Sequence, residues 1–382
     1  MKIVNTLFLL IFSVAPIFAQ QALRQRPHVE SPIIKDGKAV FSLYAPLAHE
    51  VKVVGDIPNG TLLLQKDSVG VWSGEIANIE PEVYIYQFDV DGIKFADPAN
   101  VYTKRDIATT FSMLFVPGEQ TSNYAVNPVP HGTISRLWYD SPSLGTTRRL
   151  SVYTPAGYEN SKKNYPVLYL LHGMGGDEEA WLTLGRTADI MDNLIAQGIA
   201  EPMIVVMPNG NVALQSAPGE SPKGFVTPTT NLEHTMDGLY ESTFMDIVNF
   251  VDSTFRTVQD KSGRAVAGLS MGGFHSLNIS ALYPDKFDYV GLFSAAINPR
   301  AKDVMPFFAD RNKLIDQFFA QSPKLYWIGI GEDDFLYNDN KKYREFLDSN
   351  SYPYEYFEST NGHVWKNWRK YLSQFAPKLF KE

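Results

Sequence analysis

The alternation that begins near residue 132 constrains the fold of this chain more than any other feature. Short apolar segments alternate there with longer segments of helical periodicity, the apolar segments being 165–171, 203–207, 265–268, 289–293 and 325–330. Helices are predicted at 187–197 and 242–255, from Met271, and from about Val364. This alternation is typical of a mainly parallel sheet covered by helices on both faces. The sequence therefore predicts an α/β fold for this part.

The part before residue 99 shows a period of two instead. Apolar and polar residues alternate at 39–44, 51–54 and 83–90, and Asp91-Gly92 supplies a hairpin turn. We expect a small all-β, immunoglobulin-like sandwich that precedes the α/β fold.

A linker is predicted between these two parts, because residues 117–131 collect Gly, Asn, Pro, Ser and Thr without apolar periodicity. We place the sandwich and linker at 21–125 and the α/β domain at 126–382. A length of 382 residues favours two domains, since single cores stop growing at about 250–300 residues.

Charge and composition exclude several classes of function. The net charge is −8, and no cluster of Lys and Arg is longer than two residues, so a nucleic-acid partner is not expected. The chain has no cysteine, which excludes thiolate catalysis, Cys-ligated zinc and iron–sulfur clusters. We expect neither a cofactor nor a metal.

The first twenty residues read as a signal peptide. Met1-Lys2 is followed by an apolar stretch at 6–18 and by Ala19, the order of a charged region, an apolar region and a small-residue cleavage site. The apolar stretch is too short to span a bilayer comfortably. We therefore expect cleavage near Ala19, secretion to the periplasm or the cell exterior, and no membrane span in the mature protein.

A long irregular segment interrupts the α/β alternation. Residues 209–238 are rich in Pro, Gly, Ser, Thr and Asn, and this length exceeds that of usual loops. The segment follows the end of a strand, where open α/β sheets bind ligands, which favours a lid or substrate-contacting loop over a surface insertion.

Ser270 is the candidate nucleophile. Residues 268–272 read Gly-Leu-Ser-Met-Gly, a weak signal alone. Its context is stronger, because a buried strand at 264–268 precedes Ser270 and a helix opens at Met271, which places the serine at the strand-to-helix corner that the motif requires.

A base and an acid should follow Ser270 in the chain, in the order Ser, acid, His. Only His275 and His363 follow it. His275 lies on the same helix and is interpreted as a packing or surface residue, whereas His363 lies in a Gly-bearing loop before the last helix. The acid is one of residues 332–334, Glu-Asp-Asp, at the end of the strand 325–330; spacing does not separate Asp333 from Asp334.

An acyl-transfer site also needs N–H donors for the oxyanion. Residues 172–176, His-Gly-Met-Gly-Gly, follow the first parallel strand and supply a loop that could turn its backbone inward. The N–H of Met271 would complete the donor pair.

Together these motifs resemble the esterase D / carbohydrate esterase family 1 group, which includes feruloyl and acetylxylan esterases. The matching pieces are residues 170–176, Trp181, Pro208-Asn209, 268–273, 331–334 and 362–365, within about 132–380. The resemblance implies an α/β-hydrolase fold and the catalytic residues Ser270, Asp334 and His363, with Asp333 as the fallback acid. It also implies the backbone N–H groups of Met174 and Met271 as oxyanion donors.

The amino-terminal part resembles the starch-binding-like module of carbohydrate-binding family 48, through residues 84–88 and Asp97-Pro98. Trp72, Tyr84 and Tyr86 could stack on sugars. Aromatic residues of a small sandwich are more often part of its core, which we favour here.

The signal peptide predicts secretion, and the family resemblance implies a serine esterase that releases hydroxycinnamic acids from arabinoxylan, with plant cell-wall polysaccharide as its partner. Two other ester substrates stay open, acetylated xylan and a trilactone siderophore; the signal peptide disfavours the latter. A glycan-binding protein on a hydrolase scaffold is the non-enzymatic alternative, and the complete set of candidate catalytic residues argues against it.

Overall fold

The computed structural model describes residues 27–223, 225–299 and 304–381. The predicted signal peptide at 1–20 lies outside these ranges. Within them, no helix combines the length and the apolar character that a membrane crossing requires.

The amino-terminal part consists of antiparallel strands in two sheets. The strands are β1 Ile33–Lys35, β2 Lys38–Tyr44, β3 Val51–Gly55, β4 Thr61–Leu63, β5 Gln65–Lys66, β6 Val71–Ala77, β7 Val83–Val90, β8 Ile93–Phe95, β9 Thr103–Asp106 and β10 Thr109–Phe115. One sheet has the order β1-β2-β6-β5, and the other has the order β4-β3-β7-β10-β9, with β8 paired to β7. This is the predicted all-β sandwich.

The sandwich core is formed by the inward-facing positions of the alternating strands. In β2, Ala39, Phe41 and Leu43 are buried while the residues between them are partly exposed. Trp72, Tyr84 and Tyr86 belong to this core and are 7%, 3% and 0% exposed, so their rings do not offer a sugar-stacking surface. Burial explains the aromatic content here.

The second part contains an eight-stranded sheet with the order β11-β12-β14-β13-β15-β16-β17-β18. Its strands are β11 Thr133–Ser141, β12 Thr146–Thr154, β13 Val167–Leu171, β14 Ile204–Pro208, β15 Arg264–Leu269, β16 Tyr289–Phe293, β17 Leu325–Gly331 and β18 Glu355–Ser359. The strands from β14 to β18 in this order pair in parallel, whereas β11, β12 and β14 pair antiparallel. The predicted mainly parallel sheet is confirmed.

Helices cover both faces of this sheet. They are α1 Ala180–Thr183, α2 Thr187–Ala196, α3 Leu239–Thr243, α4 Met245–Thr254, α5 Met271–Leu282, α6 Arg311–Ala320, α7 Tyr337–Ser349 and α8 Trp365–Phe375. Apolar residues of α1, α2 and α8 share one buried cluster, and those of α3 to α7 share the other. The helices thus bury both faces of the sheet from solvent, which explains why the parallel strands are continuous runs of apolar residues.

Several elements differ from the sequence-based expectation. The predicted helix at 242–255 is two helices, α3 and α4, and the sequence patterns did not identify α6, α7, β18 or the hairpin of β11 and β12. The strands β11 and β18 lie at the edges of the sheet, and their partly exposed residues lack the continuous apolar pattern of the central strands.

The segment between β10 and β11 is firmly packed, although its composition predicted a linker. Asn193 of α2 donates hydrogen bonds from Nδ2 to the carbonyl oxygens of Asn123 (3.0 Å) and Ala125 (2.8 Å), and it accepts one at Oδ1 from Asn127 Nδ2 (2.9 Å). Tyr124 is 2% exposed. The polar residues that suggested flexibility attach this segment to the helix instead.

Arg369 of α8 joins the two parts of the molecule and is fully buried. Its Nη2 donates hydrogen bonds to Glu82 Oε1 (3.1 Å) and to the Val83 carbonyl oxygen (2.5 Å), and its Nη1 donates one to the Leu184 carbonyl oxygen (3.0 Å). Glu82 is also fully buried. Removal of one partner would therefore leave an uncompensated charge in the interior.

We expect Arg369→Ala to lower the free energy of unfolding by about 3–5 kcal/mol, measured by urea denaturation. The matched control is Lys366→Ala, because Lys366 Nζ lies 3.7 Å from a carboxylate oxygen of Glu80, whose side chain is 76% exposed; its expected cost is under about 1 kcal/mol. Adding Glu82→Gln to Arg369→Ala should recover part of the loss. If Arg369→Ala and Lys366→Ala lowered the free energy of unfolding equally, the stabilising role of the buried Arg369–Glu82 pair would be contradicted.

Candidate active site

Ser270 lies at the corner between β15 and α5 in a backbone conformation that few non-glycine residues adopt. Its φ and ψ angles are 54° and −113°. A non-glycine residue in such a conformation stores backbone strain and persists only where its surroundings fix it. The Ser270 N–H donates to the Phe293 carbonyl oxygen at 2.9 Å, and Ala296 N–H donates to the Ser270 carbonyl oxygen at 3.0 Å. The strained corner is therefore held by the neighbouring strand β16 and the residues after it.

The glycines that flank Ser270 are required by close backbone approach. A Cβ atom on Gly268 would lie 2.5 Å from the backbone of Gly272, and one on Gly272 would lie 2.3 Å from the carbonyl oxygen of Leu171. Side chains at these positions would force the strand and helix apart and displace the serine.

His363 and Asp334 are brought together from different loops. His363 Nδ1 lies 2.9 Å from Asp334 Oδ2 and 3.1 Å from Oδ1. Asp334 is 4% exposed, and its Oδ1 also accepts a hydrogen bond from the Leu336 N–H at 2.9 Å, whereas Asp333 is exposed. With Nδ1 directed to the carboxylate, the Nε2 atom of His363 is the one suited to accept a proton. The rings of Phe335 and Trp368 hold the imidazole at centroid distances of 4.5 and 4.9 Å.

Ser270 and His363 open on one cavity of about 360 Å³. Most of its wall is apolar, with side chains that include Met174, Met236, Met271, Phe335, Leu336, Trp365 and Trp368. The volume lies in the range of about 300–1,000 Å³ that is usual for small-molecule sites.

The loop at 172–176 borders this cavity and is shaped by its histidine. The Nδ1–H of His172 donates to the Gly173 carbonyl oxygen at 2.7 Å, and its Nε2 accepts from the Gly210 N–H at 2.7 Å. Burial lowers the pKa of His172 to about 4, which agrees with a neutral ring that both donates and accepts. His172 is therefore a structural residue of the loop. Met174 and Met271, whose backbone N–H groups are the predicted oxyanion donors, both line the cavity.

The long segment at 209–238 is held at its start by buried hydrogen bonds, and its later residues contact the cavity. Arg148 Nη2 donates to the carbonyl oxygens of Asn209 (2.7 Å) and Asn211 (2.8 Å). Thr230 and Met236, further along the segment, line the cavity. The segment contacts the site, as expected for a substrate-contacting loop.

His275 does not reach the cavity. It is 1% exposed, and its Nδ1 lies 2.6 Å from Oε1 of Glu241, which is also fully buried. Of the two predicted interpretations, packing and surface, the structure shows packing.

The cavity-wall residues that sequence reasoning missed include Phe335 and Trp368, and also Asp106 and Ile107, which the sandwich supplies from the β9–β10 hairpin. The local sequence of Asp106 and Ile107 does not indicate this role, because the residue pattern of a turn between two short strands does not depend on which part of the molecule the turn contacts. Among the described residues, no three His, Cys, Asp or Glu side chains are grouped as a metal site requires.

Comparison with known families assigns both parts of the chain. Residues 141–379 match the Esterase family, described as "Putative esterase", and residues 27–103 match carbohydrate-binding module 48, the isoamylase N-terminal domain.

Curated relatives cover different shares of the chain. It is 31% identical over 366 residues to an endo-1,4-beta-xylanase/feruloyl esterase of Xylanibacter ruminicola, an alignment that covers 93% of this chain and 47% of that protein. It is 35% identical over 159 residues to an esterase of Mycobacterium tuberculosis, covering 40% of this chain and 30% of that protein. The chain thus spans less than half the length of either relative.

Solved structures show the same fold. A carbohydrate esterase family 1 ferulic acid esterase from Anaeromyces mucronatus is 26% identical, with a TM-score of 0.54, and the match covers 74% of this chain and 97% of that one. The enterobactin esterase of Shigella flexneri is 15% identical, with a TM-score of 0.65 over 91% of this chain and 94% of that one, which shows a shared fold. The family resemblance and the predicted α/β-hydrolase fold after an all-β domain are confirmed, and the chain belongs to the Esterase family, with a carbohydrate-binding module 48 domain before the esterase domain.

Proposed function

We propose that this protein is a secreted serine esterase that hydrolyses hydroxycinnamoyl esters, with feruloyl groups on arabinoxylan as the substrate class. The observation that carries the proposal is the shared cavity, which is lined both by strained Ser270 and by a histidine that a buried carboxylate orients. This is the constellation of groups that activates a serine hydroxyl.

The proposed reaction has two halves. Ser270 Oγ attacks the ester carbonyl carbon while His363 Nε2 accepts its proton, and the N–H groups of Met174 and Met271 stabilise the resulting oxyanion. Collapse breaks the bond to the sugar oxygen, which takes the proton from His363 and leaves the acyl group on Ser270. Water then loses a proton to His363 as its oxygen attacks the acyl carbon. Collapse breaks the bond to Ser270 Oγ, which takes that proton back from His363, and releases the acid. Asp334 stabilises the imidazolium in both halves.

The cavity wall supports an aromatic acyl group over an acetyl group. Trp365, Trp368 and Phe335 present aromatic surface, and about 360 Å³ is far more than an acetyl group requires. The feruloyl esterase relative and the ferulic acid esterase structure support the same acyl class. Secretion is part of the proposal, because a polymeric substrate must be met outside the cytoplasm.

Product analysis on one feruloylated and acetylated arabinoxylan tests the proposal. The purified protein is incubated with the polymer, and released ferulate and acetate are quantified in the same sample. We expect at least tenfold more turnover of feruloyl than of acetyl esters. Acetate as the main product would overturn the proposal in favour of an acetylxylan esterase, and retention on xylan without either product would indicate a glycan-binding protein.

A further inference from the structure

The β9–β10 hairpin of the sandwich reaches into the esterase cavity. Asp106, the last residue of β9, and Ile107, the first residue of the turn, line the same cavity as Ser270 and His363. The amino-terminal domain therefore contributes atoms to the site itself and does not only lie beside it.

The hairpin tip is fixed against the loop at 172–176. Ile107 has a φ of +50°, a strained conformation for a β-branched residue. Its side chain fits over Gly175, where an added Cβ atom would lie 2.9 Å from Ile107 Cγ1. Arg105 holds the tip by donating to the Ile107 carbonyl oxygen (2.7 Å) and by an ion pair with the buried carboxylate of Asp177, which follows the loop.

Asp106 brings a carboxylate to a mostly apolar wall. Apart from His363, it is the only side chain with a titratable group among the described residues that line the cavity. Burial raises the pKa of its carboxyl, and the neighbouring Trp365 indole, Arg105 guanidinium and Ile107 backbone N–H act in the opposite direction. Because a carboxylate can accept about four hydrogen bonds, it retains the capacity to accept one from a bound substrate.

Within residues 27–125, no aromatic side chain is among the most exposed hydrophobic ones of the sandwich. Its exposed large hydrophobic side chains, within residues 27–125, are all aliphatic: Ile33, Leu47, Leu63, Val69, Ile93 and Val101. Stacking of sugar rings requires exposed aromatic rings. The contact that the sandwich makes with the esterase cavity is therefore its best-supported functional surface.

We propose that the sandwich completes the acyl-binding pocket and selects hydroxylated aromatic acyl groups, with Ile107 as an apolar wall and Asp106 as acceptor for a ring hydroxyl. This inference rests on the proposed hydroxycinnamoyl esterase function and adds its selectivity. A phenolic hydroxyl is the donor that an aromatic acyl group can offer inside an apolar pocket, and an unhydroxylated ring would leave the carboxylate without that partner.

The test compares two esters on one enzyme sample. Methyl p-coumarate and methyl cinnamate differ by one ring hydroxyl, and we expect Asp106→Ala to lower the ratio of their kcat/KM values at least tenfold. The ratio does not depend on the concentration of active enzyme, so partial unfolding cannot imitate the effect. Ile107→Ala should lower kcat/KM for both esters by similar factors, because it removes a wall and not an acceptor.

Thr109→Ala is the matched control, since Thr109 lies on the same hairpin, is exposed and is outside the cavity wall. We expect it to leave the ratio unchanged. A ratio in Asp106→Ala that stays within twofold of the wild-type value would overturn the inference while the esterase function stands. Wild-type protein that cleaves p-nitrophenyl acetate but neither aromatic ester would instead reject the proposed function, and the inference with it.

Discussion

Ser270→Ala is expected to lower kcat for methyl ferulate by about 10⁴- to 10⁶-fold, because removal of the nucleophile leaves only substrate binding and the oxyanion donors to assist water. The change removes one oxygen atom at a corner whose backbone is fixed by hydrogen bonds to β16 and the residues after it. We therefore expect the fold to be retained, which circular dichroism and Tm will check. Steady-state release of ferulate measures the loss.

The control for this variant is Ser280→Ala, the same chemical change on helix α5. Ser280 is 1% exposed, and its Oγ donates to the Leu277 carbonyl oxygen at 2.9 Å, away from the cavity wall. Its activity should stay within about threefold of wild type. Activity of Ser270→Ala within tenfold of wild type would reject the acyl-enzyme mechanism.

Asp334→Asn is expected to lower kcat about 10⁴-fold with little change in KM. An asparagine amide of the same shape can present its NH₂ group to His363 Nδ1, which favours the tautomer with the proton on Nε2. In that tautomer Nε2 can no longer accept the serine proton. The amide also carries no charge to stabilise the imidazolium that forms during the reaction. Steady-state kinetics with methyl ferulate give both constants.

Asp333→Asn is the matched control and decides between the two candidate acids. Asp333 is the preceding residue, receives the same substitution and is exposed. We expect less than a threefold change in kcat. A larger loss in Asp333→Asn than in Asp334→Asn would assign the acid to the fallback residue.

Local sequence and chain order were sufficient to predict a candidate nucleophile and a candidate base. The corner around Ser270 depends on short-range requirements, a buried strand, glycines and a helix start, all of which a sequence displays directly. His363 followed from chain order, since few histidines come after Ser270. For the acid, residue spacing left Asp333 and Asp334 open, because adjacent carboxylates in a turn differ only in the direction that each side chain takes. The family resemblance favoured Asp334, and the structure shows this carboxylate against His363.

By itself, the sequence determined the two classes of fold, their order and the positions of the candidate nucleophile and base, because strand and helix periodicity and turn residues act over short distances. The tertiary structure alone decided which distant residues meet: Arg369 with Glu82, His275 with Glu241, and Asp106 with the esterase cavity. Such contacts depend on how the sandwich and the sheet pack against each other. That packing depends on the combined burial of many side chains that are distant in the sequence, so no short sequence pattern predicts it.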